Sequence, residues 1–304
     1  MNEKFKRPKG FGEILDHTFS LTKNHFKEFF MILIIFMGPV YLLQAIIQLA
    51  SGTNFFRQMG AGDTWYEQIL SGFEETGAFD SSSLGVDIGL IVVGLFSVLL
   101  FPVAEAAILF ALYRIRNNDE FTVSSVIKQA FSRYFPMLGS SILFGIILFA
   151  IIIIPILLVA FTFGMVASSD NTIVLVLLGI LLFFVGAIGI GLFLTRWSFY
   201  FGSVVLDKTS PGFFRSWRLS KNRTWVLMGL YIVFYIIVSI IGAVVQMTFG
   251  ALLGNSVLLT MITNMASLFT TMIFSVGYGV MYLDLKTRHD ADDLRELIED
   301  YKTI

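Results

Sequence analysis

One carboxylate lies deep inside an apolar stretch of the 304-residue chain. Glu105 precedes the next charged residue, Arg114, by nine positions, or about 13 Å along a helix, and Pro102 lies one turn before it. Ionisable groups at such depth are often part of an ion or substrate pathway. Glu105 is therefore a candidate for proton or cation transfer. The alternative is a protonated or hydrogen-bonded carboxyl group that helps the helices to pack, since no second ionisable residue stands at a similar depth.

A second group combines cations with aromatic residues in a short segment after a serine–proline pair, which itself predicts a helix start at Ser210 and Pro211. Cationic helices with aromatic side chains lie flat on membranes and attract anionic headgroups. The segment thus predicts a site for anionic lipid formed by Phe213, Phe214, Arg215, Trp217, Arg218, Lys221 and Arg223. Two alternatives remain open: the cations only orient the chain in the membrane, or they pair with the acidic C-terminal segment.

Other kinds of site find little support in the residue types. The chain has no cysteine, which excludes disulfides, thiolate nucleophiles and cysteine-bound zinc, and its three histidines (His17, His25 and His289) lack metal-ligand spacing. Phosphate-binding loops and nucleophile motifs do not occur, and the basic residues follow the predicted membrane surface rather than a nucleic-acid pattern. We therefore expect no enzyme activity, no metal or other cofactor, and no nucleic-acid partner.

The elements that must position these residues are long apolar helices. Hydrophobic residues make up 56% of the chain and charged residues 14%, whereas a soluble domain carries about 25% charged residues. A helix needs about 20 mostly apolar residues to cross a bilayer. The chain contains six such stretches, at about 29–49, 84–113, 137–166, 172–194, 225–250 and 256–285. Residues 29–285 therefore form a membrane domain between an N-terminal segment, 1–28, and a tail, 286–304.

The positive charges alternate between the two sides of this domain. Every Lys and Arg except Arg57 falls before the first stretch, after the last one, or in the second or fourth connection. Basic residues are enriched in cytoplasmic loops. We expect both termini in the cytoplasm and an even number of spans.

A short amphipathic segment precedes each odd-numbered stretch, at residues 11–26, 122–135 and 210–225. The pattern predicts three copies of a surface helix followed by a helical hairpin. The alternative is that cytoplasmic connections are often amphipathic and basic without any repeat. The predicted fold is all-α and polytopic, with six transmembrane helices and three amphipathic helices on the cytoplasmic side. A further short amphipathic helix, acidic on one face and capped by Asp290, is expected over 290–304, where it would cover the protein's own basic side or bind a partner.

Three motifs resemble a family of bacterial proteins. The opening RPKGFGEILD at 7–16, the segments RWS, VVLD and SWRL at 196–198, 204–207 and 216–219, and the ending YLDLKTR at 282–288 are similar to the membrane-domain family of glycerophosphoryl diester phosphodiesterase. In some relatives this region is fused to a soluble catalytic barrel that uses a His-Arg-Gly motif. Since no histidine here precedes Arg-Gly, the resemblance implies a membrane protein without the catalytic half.

These observations predict a non-catalytic, multi-pass protein of the bacterial cytoplasmic membrane. Its expected role is that of a scaffold or accessory component that binds anionic lipid, and a cytoplasmic protein through residues 290–304. The alternative is a transporter of small solutes or lipid-like molecules, with a cavity near Glu105.

Overall fold

The computed structural model describes Phe5 and residues 7–56, 84–166, 172–254 and 256–302. The described residues are mostly helical and contain no β-strand. This confirms the predicted all-α class. In chain order the described helices are α1 (Phe11–Asn24), α2 (Phe26–Ala50), α3 (Leu84–Asn117), α4 (Val123–Phe131), α5 (Tyr134–Val166), α6 (Thr172–Trp197), α7 (Tyr200–Val205), α8 (Phe213–Ser220), α9 (Thr224–Val245) and α10 (Val257–Lys302).

Six helices in the described part of the chain are long and apolar enough to cross a membrane. They are α2, α3, α5, α6, α9 and α10, and α9 continues through a π-helical turn, Gln246–Gly250, and a further turn, Ala251–Leu253. The prediction of six spans is confirmed. Leucine, isoleucine, valine and phenylalanine cover much of the outer surface of these helices, as expected where lipid replaces water as the solvent. The protein is a multi-pass membrane protein.

Short helices precede the long ones in the predicted order. Helices α1, α4 and α8 each come directly before a long helix. The expected start of the third helix at Ser210 and Pro211 is wrong, because α8 begins at Phe213 with Gly212 as its N-cap residue. Gly212 has φ of +79°, and a Cβ there would lie 2.6 Å from the carbonyl oxygen of Tyr200. Glycine adopts this conformation without strain, so the turn is completed one residue before the helix.

The last helix is longer than the sequence predicts. Helix α10 runs without a break from Val257 to Lys302, so the expected separate tail helix with Asp290 as its cap is wrong. Residues 286–302 contain neither glycine nor proline, the residues that most often end a helix. Side chains beyond His289 lie outside the described part, which leaves the predicted acidic face a prediction.

The chain divides into two compact units. Unit 1 comprises Met1–Phe5, Lys9–Ser132 and Ile232–Val280. In it, α2 packs along α3, and α4 packs against both. The close approach of α10 to α9 and α3 depends on glycines. A Cβ on Gly277 of α10 would lie 2.5 Å from the ring of Phe234 on α9, and Gly279 lies directly against Leu112 on α3.

Three hydrogen bonds in unit 1 connect α2 and its following segment to α10. The side-chain amide of Asn264 donates a hydrogen bond of 3.0 Å to the Gln44 oxygen. At the start of α10, the backbone N–H groups of Val257 and Leu258 donate to the carbonyls of Asn54 and Phe55 at 3.1 and 3.2 Å. The first N–H groups of a helix lack partners within it. The segment after α2 therefore supplies the cap that α10 needs.

Unit 2 comprises Lys6–Pro8, Arg133–Tyr231 and Met281–Ile304. In this unit α5 packs along α6 and against α7, while α8 packs on both α6 and α7. Gly202 allows α7 to approach α10 closely, because a Cβ at this position would lie 2.5 Å from the ring of Tyr282. All residues predicted for lipid binding belong to this unit.

Candidate functional site

Helix α8 is fixed to the end of α6 by two serines. The hydroxyl groups of Ser216 and Ser220 donate hydrogen bonds to the backbone carbonyl of Arg196 at 2.6 and 3.3 Å. This carbonyl belongs to the last turn of α6, where helical carbonyls lack partners in their own helix. The two serines and Leu219 are buried. One face of α8 is therefore a packing surface.

Phe213 lies on this buried face. Its ring packs against Trp197 and Tyr200 with centroid distances of 5.1 and 5.2 Å, and it is 9% exposed. The sequence places Phe213 and Phe214 together on a lipid-facing surface. Consecutive helical residues do not share a face, and the structure directs Phe213 inward while Phe214 is 83% exposed. Phe213 contributes to the core of unit 2 and not to its surface.

The opposite face forms a stripe, which we call the outer stripe, of two cations between two aromatic residues. Phe214, Arg218, Lys221 and Trp225 are all exposed, and Trp225 is 64% exposed. Phe214 and Arg218 share one face of α8, Lys221 follows in the turn at 221–223, and Trp225 lies at the start of α9. Among the described residues, no carboxylate pairs with Arg218 or Lys221. The outer stripe therefore offers two cations and two large apolar side chains to its surroundings.

The other two cations of the segment bind aspartates. Arg215 Nε lies 3.1 Å from Asp207 Oδ2, and Lys286 Nζ lies 2.5 Å from Asp207 Oδ1. Burial raises the pKa of Asp207, but the hydrogen bond and charge of Lys286 and the hydrogen bonds of Tyr282 and Arg215 together outweigh burial and hold the pKa below its ordinary value. Asp207 is therefore an ionised carboxylate between two cations.

Asp284 on α10 forms the equivalent centre for Arg223. Its Oδ2 atom lies 3.4 Å from Arg223 Nη1 and 2.9 Å from Arg288 Nε, and its side chain is 2% exposed. A buried carboxylate needs such partners, because an unpaired charge is costly to bury. Arg215 thus pairs with the segment that joins α7 to α8, and Arg223 pairs with α10. Lipid binding by these two cations stays a prediction.

A cleft of about 510 Å³ lies where α6, α8 and the start of α9 meet. Arg196 occupies its polar end. Its guanidinium group stacks on the Trp217 ring, 4.5 Å from the centroid, and its Nε donates to Thr224 Oγ1 at 3.0 Å. Its remaining lining residues are Gly189, Leu192, Phe193, Lys221, Asn222, Arg223, Trp225 and Val226.

The lining changes from polar to apolar along α6. Gly189 precedes Arg196 by seven residues, which is about 10 Å along a helix, and Leu192 and Phe193 lie between them. No atom lies within 4 Å of the position that a Gly189 Cβ would occupy. The cleft can therefore accept an anion at one end and a hydrocarbon chain at the other.

Glu105 lies in a different environment, in unit 1. Residues 102–104 and 106–112 of α3 are buried, whereas Glu105 is partly exposed. Neither the cleft at Arg196 nor a second cleft of about 480 Å³ is lined by Glu105. This second cleft lies between the start of α2 and the end of α3, and its lining includes His25, Glu28, Asp119 and Glu120. Among the residues that the structure describes, no three metal-ligating side chains come together.

Comparisons of the chain with protein-family models, with curated proteins and with solved structures find no match. The functional interpretation therefore depends on the residues of the chain itself. Residues 196–198, 204–207, 216–219 and 282–288 are brought together in unit 2 by the contacts of Arg196, Asp207 and Asp284.

Sequence reasoning missed three residues of this region. From the sequence, Arg196 was used only to predict the orientation of the chain in the membrane, and cation partners for Asp207 and Asp284 were not predicted. One signal was available: each aspartate directly follows a leucine, and Asp284 lies inside the predicted stretch at 256–285. A carboxylate so close to the apolar region needs a partner, and the basic segment nearby could supply it.

Proposed function

We propose that this protein is a non-catalytic, multi-pass component of a bacterial cytoplasmic membrane, with both termini in the cytoplasm, that binds anionic phospholipid through α8. It acts as a scaffold or accessory subunit, and the 290–304 segment contacts a cytoplasmic protein. The resemblance to the membrane-domain family of glycerophosphoryl diester phosphodiesterase supports a membrane role without catalysis.

The outer stripe is the observation that carries this proposal. Phe214 and Trp225 are too exposed to serve packing within unit 2, and aromatic side chains of this kind favour the headgroup region of a bilayer. Arg218 and Lys221 lie between them. Each cation near an anionic leaflet contributes about 1 kcal/mol, so the pair contributes about 2 kcal/mol before losses of side-chain entropy.

Two charge variants test the proposal. We expect Arg218→Gln combined with Lys221→Gln to retain fewer phosphatidylglycerol molecules than the wild-type protein, as counted by native mass spectrometry from detergent at low salt. The matched control is Lys23→Gln combined with Lys27→Gln, which removes two exposed cations from unit 1. Equal retention by all three proteins would exclude the outer stripe as a lipid site.

Transport is the second candidate, and the partial exposure of Glu105 within a buried run of α3 favours it. Transport through this region requires a cavity that reaches Glu105, and neither of the two clefts described above includes that residue. We therefore place lipid binding first.

A further inference from the structure

We propose that the cleft at Arg196 is a specific site for one phospholipid, whose phosphate group binds Arg196 while one acyl chain lies along Gly189. The inference rests on the proposed lipid binding and assigns it a defined pocket, which shares Lys221 and Trp225 with the outer stripe. It also transfers the main phosphate contact from α8 to a residue of α6.

Arg196 is held in position for such a ligand. Stacking on Trp217 fixes the plane of the Arg196 guanidinium group. The hydrogen bond from Nε to Thr224 fixes the direction in which the group points within that plane. Among the described residues, no carboxylate neutralises this cation. A planar guanidinium whose terminal amino groups remain available matches two oxygens of a phosphate.

The neighbouring side chains extend the site in both directions. Lys221 and Asn222 line the same cleft and supply further donors for the phosphate or the headgroup. Toward the middle of α6, the lining consists of Leu192, Phe193 and Gly189. A soluble phosphate compound would use only the polar part of the cleft, whereas a phospholipid would use the polar and the apolar parts.

Two pairs of variants separate these cases. Arg196→Gln removes the charge, and Arg196→Lys keeps the charge but loses the planar pair of donors. Gly189→Leu fills the apolar end of the cleft. Gly186→Leu is its matched control, because a Cβ at either glycine has no atom within 4 Å and only Gly189 of the two lines the cleft.

The experiment counts lipids that remain bound after a wash at about 1 M salt, where the Debye length is about 3 Å and exposed cations are screened. Detergent-purified protein is loaded with phosphatidylglycerol or with phosphatidylcholine and then measured by native mass spectrometry. We expect the wild-type protein and Gly186→Leu to retain one phosphatidylglycerol. Arg196→Gln, Arg196→Lys and Gly189→Leu should each lower that occupancy about tenfold, the effect of losing one or two charged hydrogen bonds or the acyl contact. Melting temperatures of all variants confirm that they are folded.

Other results would overturn the proposal. Wild-type retention by folded Arg196→Gln and Gly189→Leu would exclude the cleft as a lipid site. If inorganic phosphate raises the melting temperature of the wild-type protein but not of Arg196→Gln, while Gly189→Leu retains lipid normally, the ligand is a soluble phosphate compound and the lipid assignment is wrong. Arg218→Gln alone, which leaves every residue that lines the cleft unchanged, gives the low-salt test of the outer stripe, so failure of the proposed function and failure of this inference are distinguishable.

Discussion

Cations of the same type have different roles within a few residues of α8. Arg215 binds Asp207, whereas Arg218 is exposed and pairs with no carboxylate among the described residues. Residues three apart lie about 60° from each other around a helix, so the two roles follow from the position of Asp207 and not from opposite faces of α8. It also means that simultaneous replacement of all four cations would mix loss of lipid contacts with loss of ion pairs.

The pairing of Asp207 predicts a pH dependence of stability. The pKa of Asp207 in the folded protein lies below its ordinary value, which is about 3.9 for an unfolded chain. Its contribution to the free energy of unfolding is therefore complete above about pH 4 and is lost as the pH falls through the folded pKa. We expect Asp207→Asn to lower the melting temperature at pH 7. The further decrease in melting temperature as the pH falls below about 4 should be smaller in this variant than in the wild-type protein.

Asp16→Asn is the matched control, because Asp16 is an exposed carboxylate on α1. It should leave the melting temperature at pH 7 unchanged. If Asp207→Asn behaves in the same way, the ion pairs with Arg215 and Lys286 do not stabilise unit 2.

Glu105 separates transport from a packing role. If its carboxyl group serves packing, Glu105→Gln should be neutral because glutamine preserves most hydrogen bonds of a protonated glutamate, and Glu105→Leu should destabilise the protein by about 1 kcal/mol. Thermal unfolding in detergent measures both. A transport assay that loses activity in folded Glu105→Gln would support the alternative function instead.

At the scale of elements, the packing of α7 depends on a glycine. We expect Gly202→Ala to destabilise the protein by about 1–3 kcal/mol, because its Cβ would overlap the Tyr282 ring. Gly186→Ala places the same methyl group in open space on α6, where alanine favours the helix. Melting temperatures that fall equally for both variants would show that backbone effects, and not the Tyr282 contact, determine the loss.

The helices could be predicted from the sequence because their signals are local. Long apolar runs and their charged ends define the spans, and the periodicity around Phe11 or Val126 defines the short helices. The site could not be predicted in the same way. Lys286 and Asp207 are separated by 79 residues, and Arg223 and Asp284 by 61, so only the packing of unit 2 brings each pair together.

At the scale of the whole molecule, the orientation in the membrane is the prediction with the simplest test. The chain has no cysteine, so any labelling of a single-cysteine variant comes from the introduced residue. Gly77→Cys, in the connection outside the described residues, should react with an impermeant maleimide added to intact cells, whereas Glu120→Cys, exposed after α3, should react only after lysis. Reaction of both from one side would contradict six spans with cytoplasmic termini.

The ion pairs to α10 also have a consequence for the order in which the protein is synthesised. The contacts among α6, α7 and α8 join residues close in sequence, so this junction can form while the ribosome is still translating the rest of the chain. Lys286, Asp284 and Arg288 emerge last. Until then Asp207 has Arg215 but not Lys286, and Arg223 has not yet met Asp284. Completion of α10 therefore closes unit 2, and a chain that stops before Asp284 leaves these ion pairs incomplete.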